Sequence, residues 1–152
     1  MSDLALKLLH RDEGFRKSAY QDSLGYWTVG IGRMIDARKG GGITLEEAEY
    51  LLGHDISSRE QELDSRIPWW RSLNEVRQAV LLSMAFQMGV PGLMLFENTL
   101  KAVEEGRFSN AADLMLKSKW ATQAPLRAHR LSEAMRTGLA EALQLDEDPP
   151  VS

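Results

Sequence analysis

Residues 11–32 read RDEGFRKSAYQDSLGYWTVGIG, and the period of the chain changes inside this stretch. Just before it, Leu4, Leu8 and Leu9 recur at helical spacing and predict a short amphipathic helix over 3–11. Gly14 suits the stop of that helix, which puts Glu13 at its carbonyl-rich end. Partial negative charge there disfavours an ionised carboxylate, as suits a group that must hold a proton; a nearby arginine pulls the other way. After Gly14 the pattern turns to strand. Lys17–Tyr20 can be extended, and Asp22-Ser23-Leu24-Gly25 carries turn chemistry. Tyr26–Val29 is aromatic and β-branched, while Gly30 and Gly32 mark a bend or a close approach. A hairpin results. Asp22 leaves its first strand, Thr28 returns on its second, and both can face Glu13 across a cleft.

Two carboxyl groups of this kind suit glycosidic cleavage. One protonates the leaving oxygen, while the other activates water or attacks carbon. A gap of about 6.5–9.5 Å leaves room for water and gives inversion; about 5–5.5 Å gives retention. The Thr28 hydroxyl can orient a water beside Asp22. By spacing alone the signal is weak, because the chain holds 22 acids. Asp22 as a turn residue and Glu13 as a surface charge fit the same spacing.

Resemblance weighs more. Asp12-Glu13-Gly14, Tyr20-Gln21-Asp22 and Gly25-Tyr26-Trp27-Thr28-Val29-Gly30-Ile31-Gly32 resemble the active-site segment of the phage-type lysozymes. The likeness continues through Gly42-Ile43-Thr44, Glu47-Ala48-Glu49, Phe86-Gln87-Met88-Gly89, Lys117-Ser118-Lys119-Trp120, Gln123, Pro125, Arg127 and Arg136-Thr137-Gly138, in order along the chain. It implies that Glu13 is the acid and that Asp22 and Thr28 position and activate the water. It also implies sugar-binding positions at Met34, Phe86, Gln87 and Thr99, with Arg127 pairing with the glutamate and Gln123 lying near it. Leu114 stands where the T-even phage member of the family has asparagine, so a contact there is not carried over. The implied fold is α+β, mainly α: a small three-stranded β-sheet lobe joined by a long helix to a helical lobe. The expected division is one lysozyme-like domain over 1–152, with a β-containing lobe at 13–58, a connecting helix at 45–67, a helical lobe from 1–12 and 69–145, and a disordered tail at 146–152.

Composition limits the alternatives. The 152 residues include no cysteine, which excludes disulfides and Cys-based metal sites and permits folding in a reducing cytoplasm. The three histidines, His10, His54 and His129, fall on no metal-binding spacing, and neither a metal nor another cofactor is expected. No signal peptide and no membrane span is read. A substrate in the cell wall then needs another route out of the host cytoplasm, and the resemblance implies a membrane-permeabilising holin. Net charge is −4, so general attraction to nucleic acid or to anionic murein is not expected; any electrostatic help must be local. A monomer is expected, since no exposed heptad is evident.

Farther out, Thr44-Leu45-Glu46-Glu47 is a capping box. It opens a helix over 45–66, about 33 Å long at 1.5 Å per residue, with Leu45, Ala48, Leu51, Leu52 and Ile56 as its apolar stripe. Two lobes on one such connector suggest hinge motion. Arg33 suggests a structural ion pair with Asp55, and the glycines at 40–42 a tight loop. Trp69-Trp70 after Pro68 reads as packing rather than sugar stacking. Ser72-Leu73-Asn74-Glu75 reads as a second box, opening a helix to Met88 with Gly89 as its stop. Residues 79–86, AVLLSMAF, are apolar nearly all round and mark the buried centre of a bundle. The methionines at 84, 88, 94 and 115 read as core filler. Ser109 is expected to cap a helix over 110–118, and Pro125 to start one over 126–144.

The leading reading is a muramidase cutting the β-1,4 bond between N-acetylmuramic acid and N-acetylglucosamine of peptidoglycan, with chitin oligomers as a secondary substrate. A lytic transglycosylase on a related fold can work with one glutamate; the second group formed by Asp22 and Thr28 speaks against it. An inactive wall-binding module is the reading from another class, and the intact Glu13, Asp22 and Thr28 speak against that.

Overall fold

A computed structural model describes residues 3–31, 33–35 and 42–145 of the chain. Helix α1 (Asp3–Glu13) is followed by strands β1 (Arg16–Gln21), β2 (Trp27–Gly30) and β3 (Arg33–Met34). Then come α2 (Leu45–Arg66), a 3-10 turn (Pro68–Ser72), α3 (Glu75–Met94), α4 (Glu97–Glu104), α5 (Phe108–Leu116), α6 (Lys119–Gln123), α7 (Pro125–Thr137) and a last 3-10 turn (Ala140–Leu143). The three strands form one antiparallel sheet in the order β1-β2-β3. The expected class, mainly helical α+β with a small three-stranded sheet, is the one found. The chain divides into two units, Met1–Leu52 and Gly53–Ser152, with the boundary inside α2. Gly40, Gly41 and the tail at 146–152, for which the sequence suggested a loop and disorder, lie outside the described residues.

In the first unit α1 runs two residues past its predicted end. Gly14 then stops it: its φ of +69° is a left-handed geometry that glycine adopts without cost, and its N–H donates to the His10 carbonyl at 3.0 Å. Tyr20 lies opposite Thr28 and Gln21 opposite Trp27, with an irregularity between Arg16 and Tyr20. Helix α2 begins where the capping box placed it, the Thr44 hydroxyl accepting from the Glu47 N–H at 3.2 Å. The Glu47 carboxylate forms an ion pair with Arg33. Arg33 thus has the structural role read from the sequence but a different partner: it meets the first turn of α2, whereas Asp55 lies beside His54 at 3.9 Å. Leu4 and Leu8 of α1, and Leu45, Leu51 and Leu52 of α2, are exposed. Thr28 is the only buried residue among those described in this unit.

The core lies in the second unit. Leu63, Ile67 and Trp70 pack with Val80, Leu81, Met84 and Ala85 of α3, and with Met115, Leu131 and Met135. Each such fully buried Leu or Met side chain contributes about 1.5–3 kcal/mol relative to exposure. Trp69 and Trp70 pack as predicted. The Trp70 indole N–H donates to Asp64 Oδ1 at 2.8 Å, and Arg71 Nε donates to the same oxygen at 2.8 Å. These two bonds, Arg71 first, hold the Asp64 carboxyl below its ordinary range, and the carboxylate in turn raises Arg71.

Helix caps depart from the sequence reading. Asn74, not Ser72, caps α3: its side chain accepts from the Arg77 N–H at 2.9 Å. Ser72 belongs to the preceding 3-10 turn and donates to the Trp69 carbonyl at 2.6 Å. Gly89 breaks α3 as expected, but a further helical segment through Pro91 reaches Met94. Helix α5 opens at Phe108, one residue ahead of Ser109, which therefore lies inside the first turn. Ser118 caps α6, accepting from the Ala121 N–H at 3.2 Å. Helix α7 ends at Thr137 rather than at 144, where Gly138 turns left-handed. Arg77 fastens that end: Nε donates to the Met135 carbonyl at 2.8 Å and Nη2 to the Arg136 carbonyl at 3.2 Å, while the guanidinium lies 3.6 Å over the Phe108 ring. Asn74 Nδ2 adds a bond to the Gly138 carbonyl at 3.1 Å. Among the described residues no single helix is long and apolar enough to cross a membrane.

Candidate active site

Glu13 is the last residue of α1, and the chain passes through Gly14 and Phe15 directly into β1. Its neighbour Asp12 is engaged by Arg11 at 2.8 Å. The Glu13 side chain is exposed and makes no hydrogen bond or ion pair among the described residues. Of two adjacent acids, the one without a partner is the one the sequence singled out.

Asp22 opens the β1–β2 turn and builds it. Its Oδ1 accepts the N–H groups of Leu24 and Tyr26, each at 2.9 Å. Its backbone N–H donates to the Tyr26 carbonyl at 2.8 Å. The turn reading and the catalytic reading of Asp22 are therefore compatible: Oδ1 holds the loop, while Oδ2 accepts no hydrogen bond among the described residues. Thr28 sits mid-strand on β2 between Tyr20 and Met34, its partners on the two flanking strands. It is 4% exposed, and its hydroxyl donates to the Tyr26 carbonyl at 3.2 Å. With its proton directed there, Thr28 Oγ1 has only acceptor capacity left. Met34, directly opposite on β3, is exposed. The sheet thus brings together Asp22, Thr28 and Met34.

The remaining sequence candidates lie in the second unit. Phe86 and Gln87 sit on α3 just before the break at Gly89; Phe86 is 40% exposed. The Gln87 amide is fixed by Trp120, whose indole N–H donates to Gln87 Oε1 at 2.8 Å. Trp120 in turn meets Phe96 edge-to-face, with centroids 6.2 Å apart and planes at 81°. A pocket of about 370 Å³ is lined by Phe96, Asn98, Thr99, Leu114, Lys119 and Trp120, among others. Thr99, 5% exposed, is therefore a wall of this pocket rather than a surface group. Leu114, half-buried, supplies an apolar wall. Arg127 Nη2 donates to the Ser83 hydroxyl at 2.8 Å and to the Ser83 carbonyl at 3.1 Å. Gln123 closes α6 and is exposed. Trp120 is the residue that sequence reasoning left without a role. Its part in holding Gln87 depends on a contact across 33 positions, for which no local pattern exists. Among the described residues no group of three or more His, Asp or Glu side chains is placed to hold a metal ion.

A mainly helical chain with a small antiparallel sheet, carrying Glu13 at a helix end and Asp22 and Thr28 on a hairpin, has the architecture of the lysozyme-like α+β proteins. The chain belongs to the phage lysozyme family: the model of that family matches residues 10–133. It is 31% identical to the pre-baseplate central spike protein of Enterobacteria phage T4, over 95% of this chain and 29% of that much longer protein. It is 29% identical to “Probable T4-type lysozyme 1” of Dictyostelium discoideum, over 89% of this chain and 95% of that one. It is 30% identical to the endolysin of Salmonella phage P22, over 82% of this chain and 87% of that protein.

Proposed function

We propose that this chain is an endolysin that hydrolyses the β-1,4 bond between N-acetylmuramic acid and N-acetylglucosamine in bacterial peptidoglycan, leading to host cell lysis. Membership of the phage lysozyme family supports a lysozyme activity. The observation that carries the assignment of roles is the pairing of Asp22 and Thr28 around Tyr26. Glu13 protonates the glycosidic oxygen as it leaves. A water then donates one hydrogen to the Asp22 carboxylate and the other to Thr28 Oγ1, whose own proton is directed to Tyr26. Both donors of the water are thereby fixed, and its lone pair is free to attack carbon. Met34, Phe86, Gln87 and Thr99 serve as sugar-binding positions, with Arg127 and Gln123 supporting the acid. The enzyme acts as a monomer without a cofactor. It collects in the host cytoplasm and reaches the periplasmic wall through a holin-type pore.

The test is digestion of purified peptidoglycan with product identification by mass spectrometry, with Glu13→Gln as control. Hydrated muropeptides with free reducing ends are expected, along with no cleavage by a folded Glu13→Gln. Anhydro ends would instead make the enzyme a lytic transglycosylase, with Asp22 in a supporting role. Full activity in Glu13→Gln would sink the assignment of the acid.

A further inference from the structure

With a net charge of −4, this chain has no general attraction to an acidic polymer, and residues 1–68 alone carry −3. Against that background the end of the small sheet stands out. A groove of about 590 Å³ is lined by Phe15, Arg16, Lys17, residues 29–31 and Arg33, with no carboxylate among the described residues of its wall. The cations come from the two strands on either side of β2. Arg16 lies opposite Gly30 and Arg33 opposite Val29, so the two arginines flank the end of β2 from either side. Phe15, 63% exposed, adds an apolar wall. The Arg16 guanidinium lies 4.3 Å over the Tyr20 ring, a contact that orients it, and it makes no ion pair among the described residues. Lys17 makes no ion pair among the described residues. Arg33 is shared with Glu47.

We propose that this groove binds the carboxylates of the peptide stems that substitute peptidoglycan glycan strands. The inference rests on the muramidase reading and gives that reading a second contact with its substrate. Chemistry favours the stem over the sugar backbone. Stems end in free carboxylates on short chains with small apolar side groups. Arginine matches a planar carboxylate with two parallel hydrogen bonds, and lysine adds a mobile point charge. Phe15, Val29 and Ile31 supply apolar contact between these charges. Arg16 is three residues from Glu13 in the chain, so a stem held in the groove engages the segment that carries the candidate acid. Each exposed pair is weak and screened within about 8 Å at physiological salt. A polymer offering many stems compensates by raising the local concentration of sites.

The test is binding of the full chain, as Glu13→Gln, to purified peptidoglycan fixed to a support through its sugar hydroxyls, and to the same support after an amidase has removed the stems and the muramyl lactyl carboxylates so freed have been capped as amides. Removing the stems is expected to weaken binding about three- to tenfold at low salt, the range that one or two exposed ion pairs supply. Arg16→Gln/Lys17→Glu is expected to bind intact peptidoglycan that much less tightly and to be indifferent to stem removal. Each single variant should fall between, with thermal melts confirming the fold. Equal binding of Glu13→Gln to intact and stripped material would overturn the proposal, as would a double variant that keeps its stem dependence. If the double variant lost binding only to peptidoglycan bearing phosphate polymers, the groove would be a phosphate site and the proposal would fail. This assay reads binding alone, so a failure of wild type to release muropeptides would count against the muramidase reading separately.

Discussion

Asp22 and Thr28 are both bonded to the peptide groups of one residue, Tyr26. The Tyr26 N–H donates to the Asp22 carboxylate at 2.9 Å, and the Tyr26 carbonyl accepts from the Thr28 hydroxyl at 3.2 Å. The loop that positions the carboxylate therefore also sets the direction of the hydroxyl proton. Structure and chemistry at Asp22 separate by substitution. Asp22→Asn retains an acceptor for Leu24 and Tyr26, so stability should fall by no more than about 1 kcal/mol, while turnover drops by about 100-fold or more. Asp22→Ala removes both turn bonds and should lose about 1–3 kcal/mol besides. Paired unfolding curves and muropeptide release rates check this. An active Asp22→Asn would reduce Asp22 to a turn residue.

Trp120 fixes the orientation of Gln87. Trp120→Phe keeps an aromatic ring but deletes the N–H donor, freeing the Gln87 amide to rotate. If Gln87 binds sugar, KM should rise about fivefold, the equivalent of one hydrogen bond of about 1 kcal/mol, with kcat little changed. An unaltered KM in a well-folded variant would remove Gln87 from the binding positions.

Asp64 links stability to pH. Its carboxyl is held below its ordinary range by Arg71 and then by Trp70. A depressed acid stabilises the fold above its unfolded pKa of about 3.9; that contribution is lost as pH falls through the lower folded value. Asp64→Asn should therefore melt below wild type near neutrality, and the two melting temperatures should converge in acid below about pH 4. The group is exposed, so the gap will be small and should narrow with added salt. A gap that persists at pH 2 would mean that packing, not charge, supplies the difference.

Gly138 ends α7 in a left-handed conformation with φ +69°. An alanine Cβ there would lie 2.8 Å from Arg77 Nη1 and 2.9 Å from Asn74 Nδ2. The backbone strain alone is about 1–2 kcal/mol, and the clash acts on the two side chains that hold the helix end. Gly138→Ala should lower the urea midpoint accordingly. A wild-type midpoint would show that Arg77 can shift without losing its carbonyl partners.

What the sequence could say depended on how local each cause is. Gly138 was read through as helix to 144 and its left-handed turn ends α7 instead, whereas Gly14 and Gly89 marked a helix end and a helix break because their conformations are set within a few residues. The hairpin at Asp22 was legible for the same reason. Caps were harder: Ser72 and Asn74 are both competent and the 3-10 turn takes Ser72, leaving Asn74 to cap α3, while Ser109 falls inside a helix that already opens at Phe108. Glu47 had two competing uses, and only the fold brings Arg33 to it. Leu4 and Leu8 of α1 and Leu45, Leu51 and Leu52 of α2 carried a burial pattern, yet all five are exposed. In the candidate site, Glu13, Asp22 and Thr28 stood out through one contiguous motif, whereas the hold of Trp120 on Gln87 and the joint lining of one pocket by Thr99 and Leu114 are products of packing between distant helices.

The contacts from Asn74 and Arg77 to the Met135, Arg136 and Gly138 carbonyls join the first turn of α3 to the last turn of α7, positions about sixty residues apart. Helix ends normally fray independently, each at its own small free energy. Here neither end can unwind without releasing the other. Backbone amides in the two turns should therefore exchange with solvent deuterium at a common rate, through a single cooperative opening, and one substitution at Arg77 should accelerate both.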